Sequence, residues 1–196
     1  MVENQERNIV SKNIIITGGS RGIGAEIVQS LALCGHNVLL NYNNSEKEAL
    51  EIRENLKKKN IHIELFKADV SKFEETKKLA EFALNKFKNI DVLINNAGIS
   101  QTKLFTEITE SEWQKMIDTN LSSAFFMSQQ IAKNMIKNKK GCIINISSIW
   151  GETGASCEVH YSISKAGLDG LTKSLAKELG PSNIRVNSIA PRNNRD

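Results

Sequence analysis

The chain has 196 residues, 40% hydrophobic and 24% charged, a balance that fits a folded globular domain and excludes a disordered or fibrous chain. A chain of this size buries roughly 70% of the surface it exposes when unfolded, so residues 1–196 are expected to form a single domain without a disulfide or metal staple. Its formal charge of +4 comes from 26 basic and 22 acidic residues scattered along the chain, which speaks against a nucleic-acid partner.

No apolar run approaches the ~20 residues of a bilayer-crossing helix, so no membrane partner is expected. The first residues, MVENQERNIVSK, carry charges where a signal peptide places its apolar stretch. A soluble cytoplasmic protein is expected, with residues 1–11 as an N-terminal extension. Cys34, Cys142 and Cys157 are odd in number and far apart, and His36, His62 and His160 lack ligand spacing. Reduced thiols and no metal site follow.

Asn13 to Thr17 is the first of six short Ile- and Val-rich runs that read as buried strands. Directly after it comes Thr17-Gly18-Gly19-Ser20-Arg21-Gly22-Ile23-Gly24, with four of the twelve glycines of the chain. A glycine turn between strand and helix is a phosphate cradle. Gly18 permits the tight turn, Gly22 admits a pyrophosphate close to the backbone, and Gly24 lets helix and strand pack closely. No Lys-Ser or Lys-Thr follows the last glycine, which excludes a nucleoside-triphosphate P-loop. The reading is a dinucleotide.

The second run, Asn37 to Tyr42, continues into Asn43 and Asn44. A site that prefers NAD offers an acid there for the ribose 2'-hydroxyl, and this one offers none. Arg21, the asparagines including Asn43, and Ser45 instead suit a 2'-phosphate, which predicts NADP(H). The remaining runs are Ile61 to Ala68, Val92 to Asn95, Cys142 to Ile146 and Arg185 to Ala190. Amphipathic stretches lie between them, and three open with capping-box pairs: Ser45 with Glu48, Ser71 with Glu74, and Thr109 with Glu112. Such alternation predicts an α/β fold, a doubly wound parallel sheet of Rossmann-like type with helices on both faces. The stretch from Glu110 to about Asn138 carries Trp113, Met116, Ile117, Leu121, Phe125, Ile131 and Met135, a face wide enough for the sheet alone or for the sheet and a partner helix.

Tyr161 and Lys165 are four apart in a helical stretch, so they share a face. Ser148 follows the strand Cys142 to Ile146, which brings hydroxyl, phenol and ammonium to the same end of the sheet as the glycine loop.

Together, Thr17 to Gly24, Asn95-Asn96-Ala97-Gly98, Asn120, Ser148 and Tyr161-x-x-x-Lys165 resemble the short-chain dehydrogenase/reductase family, and most of all its 3-oxoacyl carrier-protein reductases. The resemblance runs from about Lys12 to Pro191. It implies transfer of hydride from NADP(H) to a carbonyl, on a small molecule or on a carrier protein as a 3-oxoacyl thioester, in a homo-oligomer, either tetramer or dimer. It also implies roles. Tyr161 is the general acid, its phenol lowered by Lys165 and the oxidised nicotinamide. Ser148 bonds the substrate oxygen, Lys165 holds the nicotinamide ribose, and Asn120 supports a water that relays protons to Lys165. Asp69 and Val70 border the adenine, Asp69 being equally suited to cap the next helix, while Asn96, Ala97 and Gly98 line the ribose side of the cofactor.

Where the family continues with Pro-Gly, a lid and a seventh strand, Pro191 is here followed by Arg192-Asn193-Asn194-Arg195-Asp196, an atypical tail. The expectation is a sheet truncated before the usual last strand, and for these residues alone weak activity and self-association through the uncovered edge. Two other readings stand beside the reductase: a catalytically silent dinucleotide-binding fragment, and a partner-binding module built on Lys133, Lys137, Lys139 and Lys140.

Overall fold

The computed structural model describes residues 10–192, so most of the N-terminal extension and of the tail lies outside the described residues. Every apolar run forms a strand: β1 Asn13–Ile16, β2 Asn37–Tyr42, β3 Glu64–Lys67, β4 Val92–Asn95, β5 Gly141–Ile146 and β6 Ile184–Ile189. They make one sheet in the order β3-β2-β1-β4-β5-β6, all neighbours parallel. The order reverses between β1 and β4, and at such a switch point the strand ends open a crevice. β3 is shorter than Ile61 to Ala68 because its register with β2 begins only at Glu64 opposite Leu39.

Strand β1 explains its own composition. Ile14 and Ile16 point into one buried cluster and Ile15 into another, so an uninterrupted apolar run serves both faces of the sheet. On the Ile15 side, Leu39, Leu93 and Ile143 pack with Leu79 and Ala83 of α3 (Phe73–Phe87) and with Met127, Ile131 and Met135 of α5 (Ser123–Asn138). On the Ile14 side, Val38, Leu40 and Ile94 pack with Val28 and Ala32 of α1 (Gly22–Leu33) and with Ala49, Ile52 and Leu56 of α2 (Glu46–Lys57). The expected helices lie on both faces. At the β6 edge Ile189 is 51% exposed.

Two of the three capping boxes do not form. Ser45 makes no side-chain cap, and α3 starts at Phe73 because Ser71 bonds to the Asp69 carboxylate while Glu75 reaches back to the Asp69 N–H. The box at Thr109 and Glu112 is present and starts α4, Glu110–Ile117. The long stretch after it is not one α-helix: a π turn over Asp118–Ser122 separates α4 from α5. Its wide face divides accordingly, with Met116, Ile131 and Met135 in the core while Trp113 and Phe125 remain partly exposed. Beyond β5 come the short α6, Trp150–Thr153, and the long α7, Val159–Leu179.

Leu93 is fully buried at the centre of the sheet. Leu93→Ala is expected to lower the unfolding free energy by about 2 to 5 kcal/mol in urea denaturation, whereas Leu33→Ala, at an exposed position, changes it by no more than about 0.5. Equal losses at the two sites would contradict this assignment of the core.

Candidate active site

A cleft of about 870 Å³ opens at the C-terminal ends of the strands. The loop after β1 forms one wall. Gly18 has φ +62°, and a Cβ there would lie 2.8 Å from the Ala97 backbone, so only glycine lets the β1 and β4 ends approach this closely. The Thr17 hydroxyl accepts the N–H groups of Asn96 and Ala97, and the Asn96 amide donates to the carbonyls of Thr17 and Gly18. Gly24 packs so tightly on Gly18 and Asn96 that a side chain has no room. Around Gly22 the space is open, with nothing within 4 Å of a Cβ. No side chain caps α1 and no acid lies in its first turn, so its free N–H groups face the cleft unopposed. This donor set fits the pyrophosphate of a dinucleotide.

Ser20, Arg21, Ile23, Asn43, Asp69, Val70, Ala97 and Gly98 line the same cleft with Gly18, Gly24 and Asn96. The Asn41 amide does not serve a ligand in the way the asparagine run suggests: it is buried and donates to the carbonyls of Phe66 and Ala68. Asp69 lies on the cleft wall and also accepts from the N–H and hydroxyl of Ser71, so it closes the turn before α3 without capping it.

The other wall carries the end of β5 and the start of α7. Lys165 is 4% exposed, and its Nζ donates to the Ile146 carbonyl at 2.8 Å. Burial pulls the ammonium down to about 8, against the opposing charge of Asp169. The ammonium lies 5.7 Å from the Tyr161 ring centroid. Burial pushes the Tyr161 phenol up from its ordinary value, the Ser148 hydroxyl pulls it down, and Glu158 pushes it further up, while the charges expected to lower it include an oxidised nicotinamide that belongs to the cofactor-loaded site. Ser148 accepts from the Trp150 N–H at 3.2 Å, which leaves its own hydrogen free to donate into the cleft.

Asn120 is not on the cleft wall. It is buried in the π turn, its Oδ1 accepting from the Ile99 N–H and its Nδ2 donating to the Ile99 carbonyl and the Ser164 hydroxyl. A Cβ on Gly98 would lie 3.4 Å from Asn120 Oδ1 and 3.6 Å from Lys165 Nζ, so the bare glycine leaves a small gap between the two groups. Sequence reasoning did not single out Ile99, Ser100, Thr102, Trp150 or Glu158, which also line the cleft, nor the lacing role of Thr17. Their signal was positional: they follow strand ends, where ligands of such sheets sit. Among the described residues no group of three or more His, Cys, Asp or Glu is placed to hold a metal, and no helix is long and apolar enough to cross a membrane. The three cysteines are free thiols.

The depressed ammonium has a thermodynamic consequence. Between about 8 and the ordinary 10.5 the unfolded chain binds the lysine proton that the folded chain has released, so the contribution of this group to stability rises with pH across that window and is lowest below it. The unfolding free energy is therefore expected to gain on the order of 3 kcal/mol from pH 7.5 to 10.5 relative to Lys165→Met, measured by urea titration at each pH. Parallel pH profiles for the two proteins would refute it.

A model of the family described as short chain dehydrogenase matches residues 12–193. The chain is 39% identical over 182 residues to the 3-oxoacyl-[acyl-carrier-protein] reductase FabG of Staphylococcus epidermidis, covering 93% of this chain and 75% of that protein. It is 40% identical over 183 residues to the uncharacterized oxidoreductase YmfI of Bacillus subtilis, covering 93% and 74%. Among solved structures it resembles a metagenomic short-chain oxidoreductase in complex with NADP, with a TM-score of 0.88 and 32% identity over 92% of this chain and 82% of that one. A putative short-chain alcohol dehydrogenase from Sinorhizobium meliloti also superposes with a TM-score of 0.88, at 33% identity over 93% and 72%. With the parallel sheet, the glycine loop and the Ser148, Tyr161 and Lys165 wall in place, these likenesses settle the kinship: the chain belongs to the short-chain dehydrogenase family.

Proposed function

We propose that the chain is an NADP(H)-dependent reductase of carbonyl groups, and that its substrate is a 3-oxoacyl thioester or a related ketone, free or on a carrier protein. The observation that carries this is the facing of two walls across one cleft: an uncapped helix N-terminus behind the glycine loop, and the Ser148, Tyr161 and Lys165 side chains opposite. The FabG relative supports the thioester, and the NADP complex of the metagenomic relative supports the cofactor.

NADPH, when bound, supplies the hydride that reaches the carbonyl carbon. Gly18, Ser20, Gly22, Ile23, Gly24 and the α1 N–H groups hold its phosphates, Arg21 and Asn43 take the 2'-phosphate, and Asp69 and Val70 border the adenine. Asn96, Ala97 and Gly98 line the ribose side, and Lys165 holds the nicotinamide ribose. Ser148 donates to the substrate oxygen, and Tyr161 gives that oxygen its proton, so carbon gains hydride and oxygen gains hydrogen to leave an alcohol. A phenol is protonated at neutral pH, as a general acid requires before reaction. A water seated beside Gly98, on the second lone pair of Asn120 Oδ1, returns a proton towards Lys165. Residues 1–196 form one domain in this reading. The exposed Phe125 and Trp113 on α5 and α4 give it a face for self-association as a dimer or tetramer.

Tyr161→Phe is expected to reduce carbonyl-dependent NADPH oxidation by about 10²- to 10⁴-fold with cofactor affinity unchanged, because only the transferable proton is removed. A phenylalanine variant that keeps most of the wild-type rate would dismiss Tyr161 as the acid.

NADPH should also bind more tightly than NADH in a fluorescence titration, and Arg21→Ala should narrow that difference by about 1 to 3 kcal/mol. Equal affinities in the wild-type protein would overturn the cofactor assignment.

A further inference from the structure

His160, the residue before Tyr161, is fully buried, and the chemistry described above does not use it. Its Nε2 lies 3.0 Å from Gln101 Oε1. The direction of that bond is fixed from further out. Gln101 Nε2 lies 2.8 Å from Glu112 Oε1, and an ionised carboxylate only accepts, so the amide nitrogen must face Glu112 and the amide oxygen must face His160. Glu112 is ionised: the Lys103 ammonium, 2.8 Å from both carboxylate oxygens, holds it down to about 2, helped by the Thr109 N–H and by Gln101. His160 therefore donates from Nε2, while Nδ1 is buried without a partner.

The bond is one of three stitches between the same two segments. Residues 97–104 have no regular secondary structure and form a strap across the cleft mouth, with Ile99, Ser100 and Thr102 on its wall. Gln101 is tied to His160, the Thr102 hydroxyl reaches Glu158 at 3.4 Å, and the Lys103 N–H donates to the Cys157 carbonyl at 2.7 Å. Cys157 itself has φ +60°, an unusual conformation for a residue with a side chain, and one that turns its carbonyl to the strap. Two residues back, both backbone groups of Ile99 are bound to Asn120. The strap is thus held at one end by Asn120 and at the other by the first turn of the helix that carries Tyr161.

We infer that the chain Lys103, Glu112, Gln101, His160 is a positioning relay, in which His160 sets the first turn of α7 against the strap and so fixes where the Tyr161 phenol meets the substrate oxygen. This rests on the reading of Tyr161 as the proton donor. His160 is not on the cleft wall and acts through its neighbour. A small displacement of a reacting group costs up to about 100-fold in rate, so the relay should be visible in turnover and not in cofactor binding.

The test compares His160→Leu, which fills the space without a donor, with His160→Gln, whose amide can donate from about the same place as Nε2. His160→Leu is expected to lower kcat by about 10- to 100-fold with the NADPH Kd within about twofold of wild type, and His160→Gln to recover most of the loss. Gln101→Met should match His160→Leu, and the double variant should be no slower than either single one, as members of one unit behave. Full activity in His160→Leu, or no recovery in His160→Gln, would overturn the relay. If the wild-type chain turns over no ketone or 3-oxoacyl thioester, the functional reading fails. The relay is then judged by the titration midpoint of Tyr161, followed with ¹³Cζ-labelled tyrosine: a shift in His160→Leu that His160→Gln reverses supports it, and an unmoved midpoint sinks it.

Discussion

The bond from Lys165 Nζ to the Ile146 carbonyl is the constraint on which the catalytic wall depends. A parallel strand ends with backbone carbonyls that have no further strand residue to pair with, and a buried ammonium cannot be left without an acceptor. Each solves the other's problem. The bond fastens the second turn of α7 to the end of β5, and this places Tyr161 one turn earlier in the helix and Ser148 two residues further along the chain. Three functional groups are thereby fixed relative to one another by one charge-assisted contact and two pieces of regular backbone.

The opposite wall is built by a different device. There the ends of β1 and β4 are laced by Thr17 and Asn96, which satisfy the backbone groups of both loops with hydroxyl and amide side chains. Once those groups are paired within the protein, the N–H groups of α1 are the donors left over, and they point into the cleft. The donor set is therefore what remains after Thr17 and Asn96 have paired the backbone groups of both loops, which is why it needs no lysine in the loop.

Much of this was legible in the sequence because the strands have the plainest signal. Six runs of Ile and Val became six strands with boundaries shifted by only a few residues, since a doubly covered parallel strand tolerates little else. The glycine loop, Ser148, Tyr161 and Lys165 were legible for a similar reason: each depends on spacing along a helix or on position after a strand. What resisted reading were side-chain choices made between distant segments. Nothing local says that Asn41 turns to Phe66 and Ala68 instead of to a ligand. The phenol of Tyr161 is the clearest instance. Its shift is set first by how deeply the ring is buried and then by the hydroxyl of Ser148, and neither is a property of the four-residue spacing.

The π turn at Asp118–Ser122 shows how one irregularity joins the two walls. A continuous α-helix from Glu110 would carry the apolar face unbroken and leave Asn120 as one more polar position along it. The wider turn adds a residue to the helical repeat, and in this setting Asn120 is buried with its amide directed at both backbone groups of Ile99. Burying an amide is costly unless its donors and acceptor are met, and here Ile99 and Ser164 meet them. Ser164 belongs to α7, so the same asparagine touches the strap and the catalytic helix at once. The strap that leaves β4 beside the glycine loop is consequently bound to the Tyr161 helix in two places, through Asn120 near its start and through His160 near its end. Loops at strand ends are ordinarily the mobile part of such folds. In this chain the segment across the cleft mouth is held by hydrogen bonds to buried side chains, so the distance between the two walls is set by the core and not by the ligand.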